Sequence, residues 1–415
     1  MDKLATKHVY YTMHIIISLA SSIMFTTYAI YYIEELGLNP LQLILIGTAI
    51  ELTVIVFESI TGVVADTYSR RLSIIIATFI LGVAFIFEGS IPYLSNSTLA
   101  VGVLSAFVLL LFAEFIRGIG ETFLSGADQA WLTDEMGEEA VAKIFVRTNQ
   151  LRLIASLVGI IISVALASIA LNLPYLAGGV LYILLGIFLC IYMKEKNFER
   201  VEAANEKPLK AMSSTFLSGV TFIKNKPLLV MLLVVTVFIG ATSEGFDRLW
   251  EAHLLEAFTF PSIGTLDVVV WFGVIQFVGT LISIGAMEWY QRRFDVNEPK
   301  VIRYSLFYFT MGQVIFLVLF AVTPSFYLAI GCFWVLGIIG SITAPMYQAW
   351  LNQQLESKSR ATVLSIMGQG NAVGQGLGGP FVGIIATRYY IRTALVLGAM
   401  LLLPAVFLYG KVMKR

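Results

Sequence analysis

The chain has 415 residues, of which 58% are hydrophobic and 13% charged, and its mean hydropathy is +0.84. Soluble proteins carry about 25% charged and about 45–50% apolar residues, so a chain this poor in charge cannot solvate its own surface, and the soluble classes are excluded. Its 27 Lys and Arg balance 27 Asp and Glu, leaving no basic footprint for nucleic acid. Cys190 and Cys332 both fall in apolar runs, which excludes a disulfide framework.

Crossing about 30 Å of hydrocarbon takes about 20 mostly apolar residues in a helix. Twelve such stretches are legible, at 9–33, 41–64, 73–94, 99–124, 150–171 and 175–193, then 228–249, 266–288, 303–321, 326–349, 363–386 and 392–410. They are too long and continuous for barrel strands, which alternate over about ten residues. The first stretch runs far past the length of a signal-peptide core, so it is expected to be a retained helix. The predicted fold is an all-α polytopic membrane protein of about twelve transmembrane helices. With the N-terminus inside, 23 of the 27 Lys and Arg fall on inner segments, as the positive-inside rule requires. The chain is therefore expected to be multi-pass, with both termini cytoplasmic.

A long polar stretch divides the spans six and six. The expected organisation is an N-terminal six-helix bundle at 1–193, a solvated cytoplasmic linker at 194–227 that carries an amphipathic helix, and a C-terminal six-helix bundle at 228–415. Gln129-Ala130-Trp131-Leu132 ends span four and Gln348-Ala349-Trp350-Leu351 ends span ten. The same offset of 219 residues sets Gly118 on Gly337. This echo points to duplication and to two pseudo-symmetric bundles, an architecture that binds substrate between its halves near mid-membrane. The halves differ in charge: Glu114, Arg117, Glu121 and Asp128 correspond to Phe333, Leu336, Gly340 and Tyr347.

A charge at the bilayer centre costs at least about 2.5–3.5 kcal/mol, so acids within spans are functional candidates that face a cavity or a partner. Span two carries Glu51 and Glu58, seven apart, on the face leading to Asp66. At its end, Gly62 is expected to permit close helix approach, Asp66 to accept from a helix N-terminus, and Arg70 and Arg71 to offer planar donors to a carboxylate or a lipid phosphate. Glu88, in the outer part of span three, is expected to reach the interface. In span four Glu114, Glu121 and Asp128 repeat every seven residues, which predicts one helical face, and Arg117 is spaced to meet the first two. One arginine cannot neutralise three carboxylates. The set reads either as a proton-binding group or as a static cluster that orients the helix. Span seven ends with Glu244, Asp247 and Arg248 beside Trp250. This reads as an outer gate or vestibule, or as a surface anchor with Trp250 in the aromatic belt. Span eleven has Gly370, Gly374 and Gly378 at intervals of four, then Gly379-Pro380, which predicts close packing and a bend suited to rocking. No Walker A sequence, nucleophile elbow or metal-ligand spacing is present, so neither a catalytic nor a metal site is expected.

Gly62-Val63-Val64-Ala65-Asp66-Thr67-Tyr68-Ser69-Arg70-Arg71 resembles the Gly-x-x-x-Asp-x-x-Gly-Arg-Arg loop of the major facilitator superfamily, in the same place between spans two and three. Thr67 and Ser69 stand where Arg and Gly are frequent. Arg117-Gly118-Ile119-Gly120 is similar to a shortened form of that superfamily's span-four motif. Arg360 to Ser365, followed by Gly374 to Pro380, is similar to the start of span eleven in bacterial members. The resemblance implies an inner gate at Gly62, Asp66, Arg70, Arg71 and Arg360, with its acid from Asp128 or Asp134. It also implies a monomeric, proton-coupled antiporter with no cofactor but the proton gradient, embedded in the lipids of the plasma membrane and exporting amphipathic or cationic drug-like molecules. The alternatives are proton-linked import of a metabolite, movement of a lipid-like molecule, or a membrane sensor or scaffold.

Overall fold

A computed structural model of the chain describes residues 5–95, 105–198, 217–261, 268–295, 298–355 and 360–413. Nearly all of these are helical and none is in a strand. That is the expected solution for backbone in hydrocarbon, which must satisfy its own N–H and C=O groups. In chain order the helices are α1 (Thr6–Phe25), α2 (Pro40–Thr67), α3 (Arg70–Ser95), α4 (Ala106–Leu124), α5 (Ala127–Met136), α6 (Glu138–Ala167) and α7 (Leu173–Tyr192). After the linker helix α8 (217–224) come α9 (Pro227–Ala257), α10 (Val268–Arg293), α11 (Pro299–Val322), α12 (Phe326–Gln353), α13 (Arg360–Arg388), α14 (Ile391–Met400) and α15 (Leu403–Met413). Between α1 and α2 a short α turn, Tyr28–Ile30, runs into a π-helical turn, Tyr31–Glu35.

Among the described residues, ten helical segments are long and apolar enough to cross a membrane, with α14 and α15 together supplying one. Two expected spans are missing from that set, and each has a physical reason. Helix α4 packs Glu114, Arg117 and Glu121 into 19 residues, and α13 is diluted by glycine and by Gln369, Asn371 and Gln375. With them the helices fit the expected twelve-span fold.

The chain forms two compact units. One comprises Met1–Leu38, Ala49–Asn205 and Gly264–Val274, and the other Asn39–Thr48, Glu206–Ile263 and Ile275–Arg415. In the first, small residues set the closest helix contacts. A Cβ on Gly120 would meet the Leu81 side chain at 2.8 Å, and one on Gly159 would meet the Leu19 carbonyl oxygen at 2.8 Å. Its core gathers Val9, Met13, Ile74, Trp131, Leu185 and Leu189 from α1, α3, α5 and α7. In the second unit, α13 lies on α9 along the glycine stripe: a Cβ on Gly374 would collide with the Val237 carbonyl oxygen, and one on Gly378 with the Ala241 methyl. Here α2 opens on a reciprocal cap. The Gln42 N–H donates to the Asn39 side chain and the Asn39 N–H to the Gln42 side chain, both at 3.0 Å, with Pro40 in the first turn.

The repeat is visible in each unit. Trp131 is buried and its indole N–H donates to the Lys194 carbonyl just past α7, while Trp350 is buried against Tyr409 of α15. Gly118 brings α4 against Thr53 of α2, and Gly337 brings α12 near Ser283 of α10. The linker helix α8 is amphipathic, with Gly219 and Ile223 buried and its other side open; Gly219 rests on Thr362 and Ile366.

Candidate functional site: a buried acid, arginine and tyrosine array

The charged residues of α4 lie inside the first unit. Glu114 is fully buried, and both its carboxylate oxygens accept from Arg117 Nη1 at 3.1 Å. Arg117 is one turn further on, as the helical period requires. Its guanidinium carbon lies 4.7 Å from the Phe25 ring centroid and 5.5 Å from that of Phe85, so aromatic faces replace part of its lost hydration. Glu121 is the next residue on this face, 3.8 Å from Arg117 Nε, with 42% of its side chain exposed against 15% for Arg117. The array therefore grades from a dry end at Glu114 to an accessible end at Glu121.

The dry end extends to other helices. Glu88 is 1% exposed, not at an interface as its position in span three suggested. The reason is the close contact between α3 and α7, where Gly82 faces the Gly179 carbonyl and Gly89 faces Leu176. The Tyr32 hydroxyl donates to Glu88 Oε1 and also lies 3.4 Å from Glu114 Oε1, and the Tyr175 hydroxyl donates to Tyr32 at 3.1 Å. Tyr31 donates to the Glu88 main-chain carbonyl at 2.8 Å. The π-helical turn presents Tyr31 and Tyr32 together.

Asp128 departs from its expected place. The α4 helix stops at Leu124, and Gly126 takes a left-handed conformation, φ +72°, before α5 begins. A continuous face from Glu114 to Asp128 is thereby broken. Asp128 instead lies 3.2 Å from His14 Nε2 of α1. Of the two spatially eligible acids, Asp134 is the one on Arg70, at 2.6 Å. Partial burial pushes the Asp134 carboxyl above its ordinary range, and the Arg70 guanidinium opposes that shift.

The loop between α2 and α3 corrects three expectations. Among the described residues nothing lies within 4 Å of a Cβ built on Gly62, so no described helix approaches there. Asp66 is still on α2, half exposed and 3.8 Å from Arg70, and it is Glu195 that serves the α3 N-terminus. Glu195 accepts from the Ser69 hydroxyl at 2.6 Å and from the Arg71 N–H at 3.0 Å, where a helix start favours an anion. The Arg71 side chain donates to the Met193 and Cys190 carbonyls at 2.7 and 2.9 Å, capping α7 rather than meeting a carboxylate. Glu58 is partly buried with the Ser125 hydroxyl 3.4 Å away, and Glu51 is partly buried on the same helix. The Arg360 side chain lies outside the described residues.

In the second unit Glu244 and Arg248 pair at 3.1 Å, one turn apart, and both crowd Gly47, where a Cβ would overlap the Glu244 carboxylate. Gly379 packs on the Glu244 stem, and Pro380 follows within the continuous helix α13. Asp247 lies on the same turn of α9. Trp250 is buried, not in an aromatic belt, because Phe333 stacks on it at 4.2 Å. Phe333 is the repeat equivalent of Glu114, so an aromatic stack occupies the position of the ion pair.

The sequence did not single out Tyr32, Tyr175, His14, Glu195 or Gly47. Tyrosines and histidines spread through apolar runs carry no spacing signal. An adjacent Tyr31-Tyr32 pair at the end of span one, with one acid in span three, was the available hint.

The profile of the Major Facilitator Superfamily matches residues 10–310. An uncharacterized MFS-type transporter of Bacillus subtilis (strain 168), YxaM, is 23% identical over 408 residues, covering 98% of this chain and 96% of that one. Among solved structures, a point mutant of the nucleoside transporter NupG matches with a TM-score of 0.78 at 14% identity, over 99% of this chain and 100% of that chain. A D-xylose-proton symporter matches with a TM-score of 0.71 at 11% identity, over 97% and 96%. The chain is a multi-pass membrane transporter that belongs to the Major Facilitator Superfamily.

Proposed function

We propose that the protein is a proton-coupled secondary transporter in the plasma membrane. It has its termini in the cytoplasm, works as a monomer, and exports amphipathic or cationic organic molecules in exchange for protons. The observation that carries the reading is the graded Glu114–Arg117–Glu121 array, present in the first unit and replaced by Phe333, Leu336 and Gly340 at the repeat positions. Packing alone gives no reason for buried charge at this register in one unit and apolar residues at the same register in the other, whereas a carboxyl that exchanges protons must meet both water and a dry interior. Glu121, the more accessible of the two acids, is on this reading the end that meets water, and the fully buried Glu114 is the dry one.

On this reading a proton from outside neutralises Glu121 and weakens its attraction for Arg117. Deprotonation on the cytoplasmic side restores the acid that attracts a cationic substrate. Arg70 on Asp134 latches the inner gate, with Asp66 as its second acid. The Glu244–Arg248 pair, with Asp247 nearby, belongs to the outer gate, and the glycine stripe at Gly374 and Gly378, ending in Gly379-Pro380, is the rocking contact. Glu51 and Glu58 on α2, and Asp128 beside His14, are assigned to proton coupling with the α4 array. A second reading, proton-linked import of a small metabolite, is favoured by fold relatives that include a nucleoside transporter and a D-xylose-proton symporter.

Retention of a lipophilic cationic dye in cells stripped of their own pumps separates the two. Export predicts dye depletion that a protonophore abolishes and that Glu121→Gln removes. Accumulation of a nucleoside or sugar that collapses with the protonophore establishes import instead. Depletion insensitive to the protonophore refutes proton coupling.

A further inference from the structure

Two buried carboxyls face one hydroxyl. Glu88 on α3 and Glu114 on α4 are 1% and 0% exposed, and both lie against Tyr32 Oη. Glu114 has its counter-charge in Arg117, which holds both of its oxygens. Among the described residues, Glu88 has no cation within salt-bridge reach. Its Oε1 accepts from Tyr32, and its Oε2 is buried without a hydrogen-bond partner. The titratable and charged groups that face it are Tyr31 and Tyr32 from the π-helical turn, Tyr175 from α7, and Glu114 and Arg117 from α4. Arg117 holds Glu114 and also lies 3.8 Å from Glu121, so it leaves Glu88 uncompensated, and an unpaired buried carboxylate is expensive enough that it takes up a proton instead.

We propose that Glu88 and Glu114 share a single exchangeable proton through the Tyr32 hydroxyl, with Glu88 as its resting site, and that Glu88 thereby completes the proton path of the transport cycle. This rests on the reading of the protein as proton-coupled. Tyr32 Oη accepts from Tyr175 with one lone pair and carries a single hydrogen, which can point to only one acid at a time. Transfer is balanced without ionising the tyrosine. It starts once the Tyr32 hydrogen has turned from Glu88 to Glu114 Oε1 and the protonated Glu88 Oε1 donates in its place to Tyr32 Oη. The Glu88 O–H bond then breaks as its proton moves to Tyr32 Oη, and the tyrosine's own proton leaves to form an O–H bond on Glu114 Oε1. The hydroxyl is restored, Glu88 is left as the carboxylate, and Arg117 is released from a neutral Glu114 to turn toward Glu121. A proton passed from Glu88 to Glu114 is thus reported at the accessible end, 3.8 Å beyond Arg117.

Infrared difference spectroscopy on the full-length protein in liposomes reads the protonated carboxyl directly, by its C=O band and that band's shift in heavy water. Glu88→Gln is expected to lose one such band at neutral pH and keep its melting temperature, since the amide replaces a neutral acid of the same shape. Glu88→Asp is expected to keep a shifted band, and Tyr32→Phe to keep the band while moving its titration midpoint. Proton-driven substrate movement is expected to be lost in Glu88→Gln while downhill exchange of substrate persists. An unchanged carboxyl spectrum in Glu88→Gln overturns the proposal even if transport remains proton-coupled. A lost band in a protein whose transport ignores the proton gradient upholds the shared proton and refutes the transport reading instead.

Discussion

Arg117 is held in place by Glu114 on one side and by the faces of Phe25 and Phe85 on the other. Removing the cation strips Glu114 of its counter-charge and its hydrogen bonds in a dry site. Arg117→Leu is therefore expected to lower stability by about 3–5 kcal/mol, and adding Glu114→Gln to recover much of that loss. Melting of the two variants and the parent protein in detergent measures it, and a double variant no better than the single one refutes the pairing. Arg117 beside Glu114 was legible from spacing alone, because three residues is nearly one helical turn. Tyr32 and Glu88 were not, because contacts among three helices leave no mark in local sequence.

At the scale of the helix, glycine spacing has a sharper meaning than composition. Gly374 and Gly376 are two residues apart on α13, yet a Cβ on the first collides with the Val237 carbonyl and one on the second meets nothing within 4 Å. Gly374→Ala is expected to reduce folded yield sharply, and Gly376→Ala to be neutral or to stabilise by about 0.5–1 kcal/mol through lower backbone entropy. Size-exclusion yield and melting of the two variants compare them directly. The intervals of four at Gly370, Gly374 and Gly378 announced this interface; its partner, α9, came only from the fold. The same limit explains Asp128. A repeat of seven promises a shared face only while the helix continues, and the left-handed turn at Gly126 ends that continuity. The Ser-Gly pair at 125–126 was the visible sign of a break.

For the whole molecule, duplication organises the two units. Trp131 and Trp350 sit at equivalent sequence positions, Trp131 buried with α7 residues and Trp350 with Tyr409 of α15. Truncating either to Ala is expected to cost about 3–5 kcal/mol. Their partners are not shared, so the losses are expected to add. A double variant that falls clearly short of additivity in its melting shift shows that the units do not behave as separate cores. The repeat also makes difference informative: ion pair in one unit, aromatic stack in the other, at the same register.

Sequence alone determined the solvent, the all-helical fold of about twelve spans and the existence of a charged α4. Each of these follows from summed hydropathy or from the helical period, which act along the chain. Tertiary structure decided which acids meet. It moved Glu88 from an interface into a dry cluster, gave Arg70 to Asp134 and left Asp128 to His14, because those pairings depend on how helices distant in sequence are brought within a few ångströms.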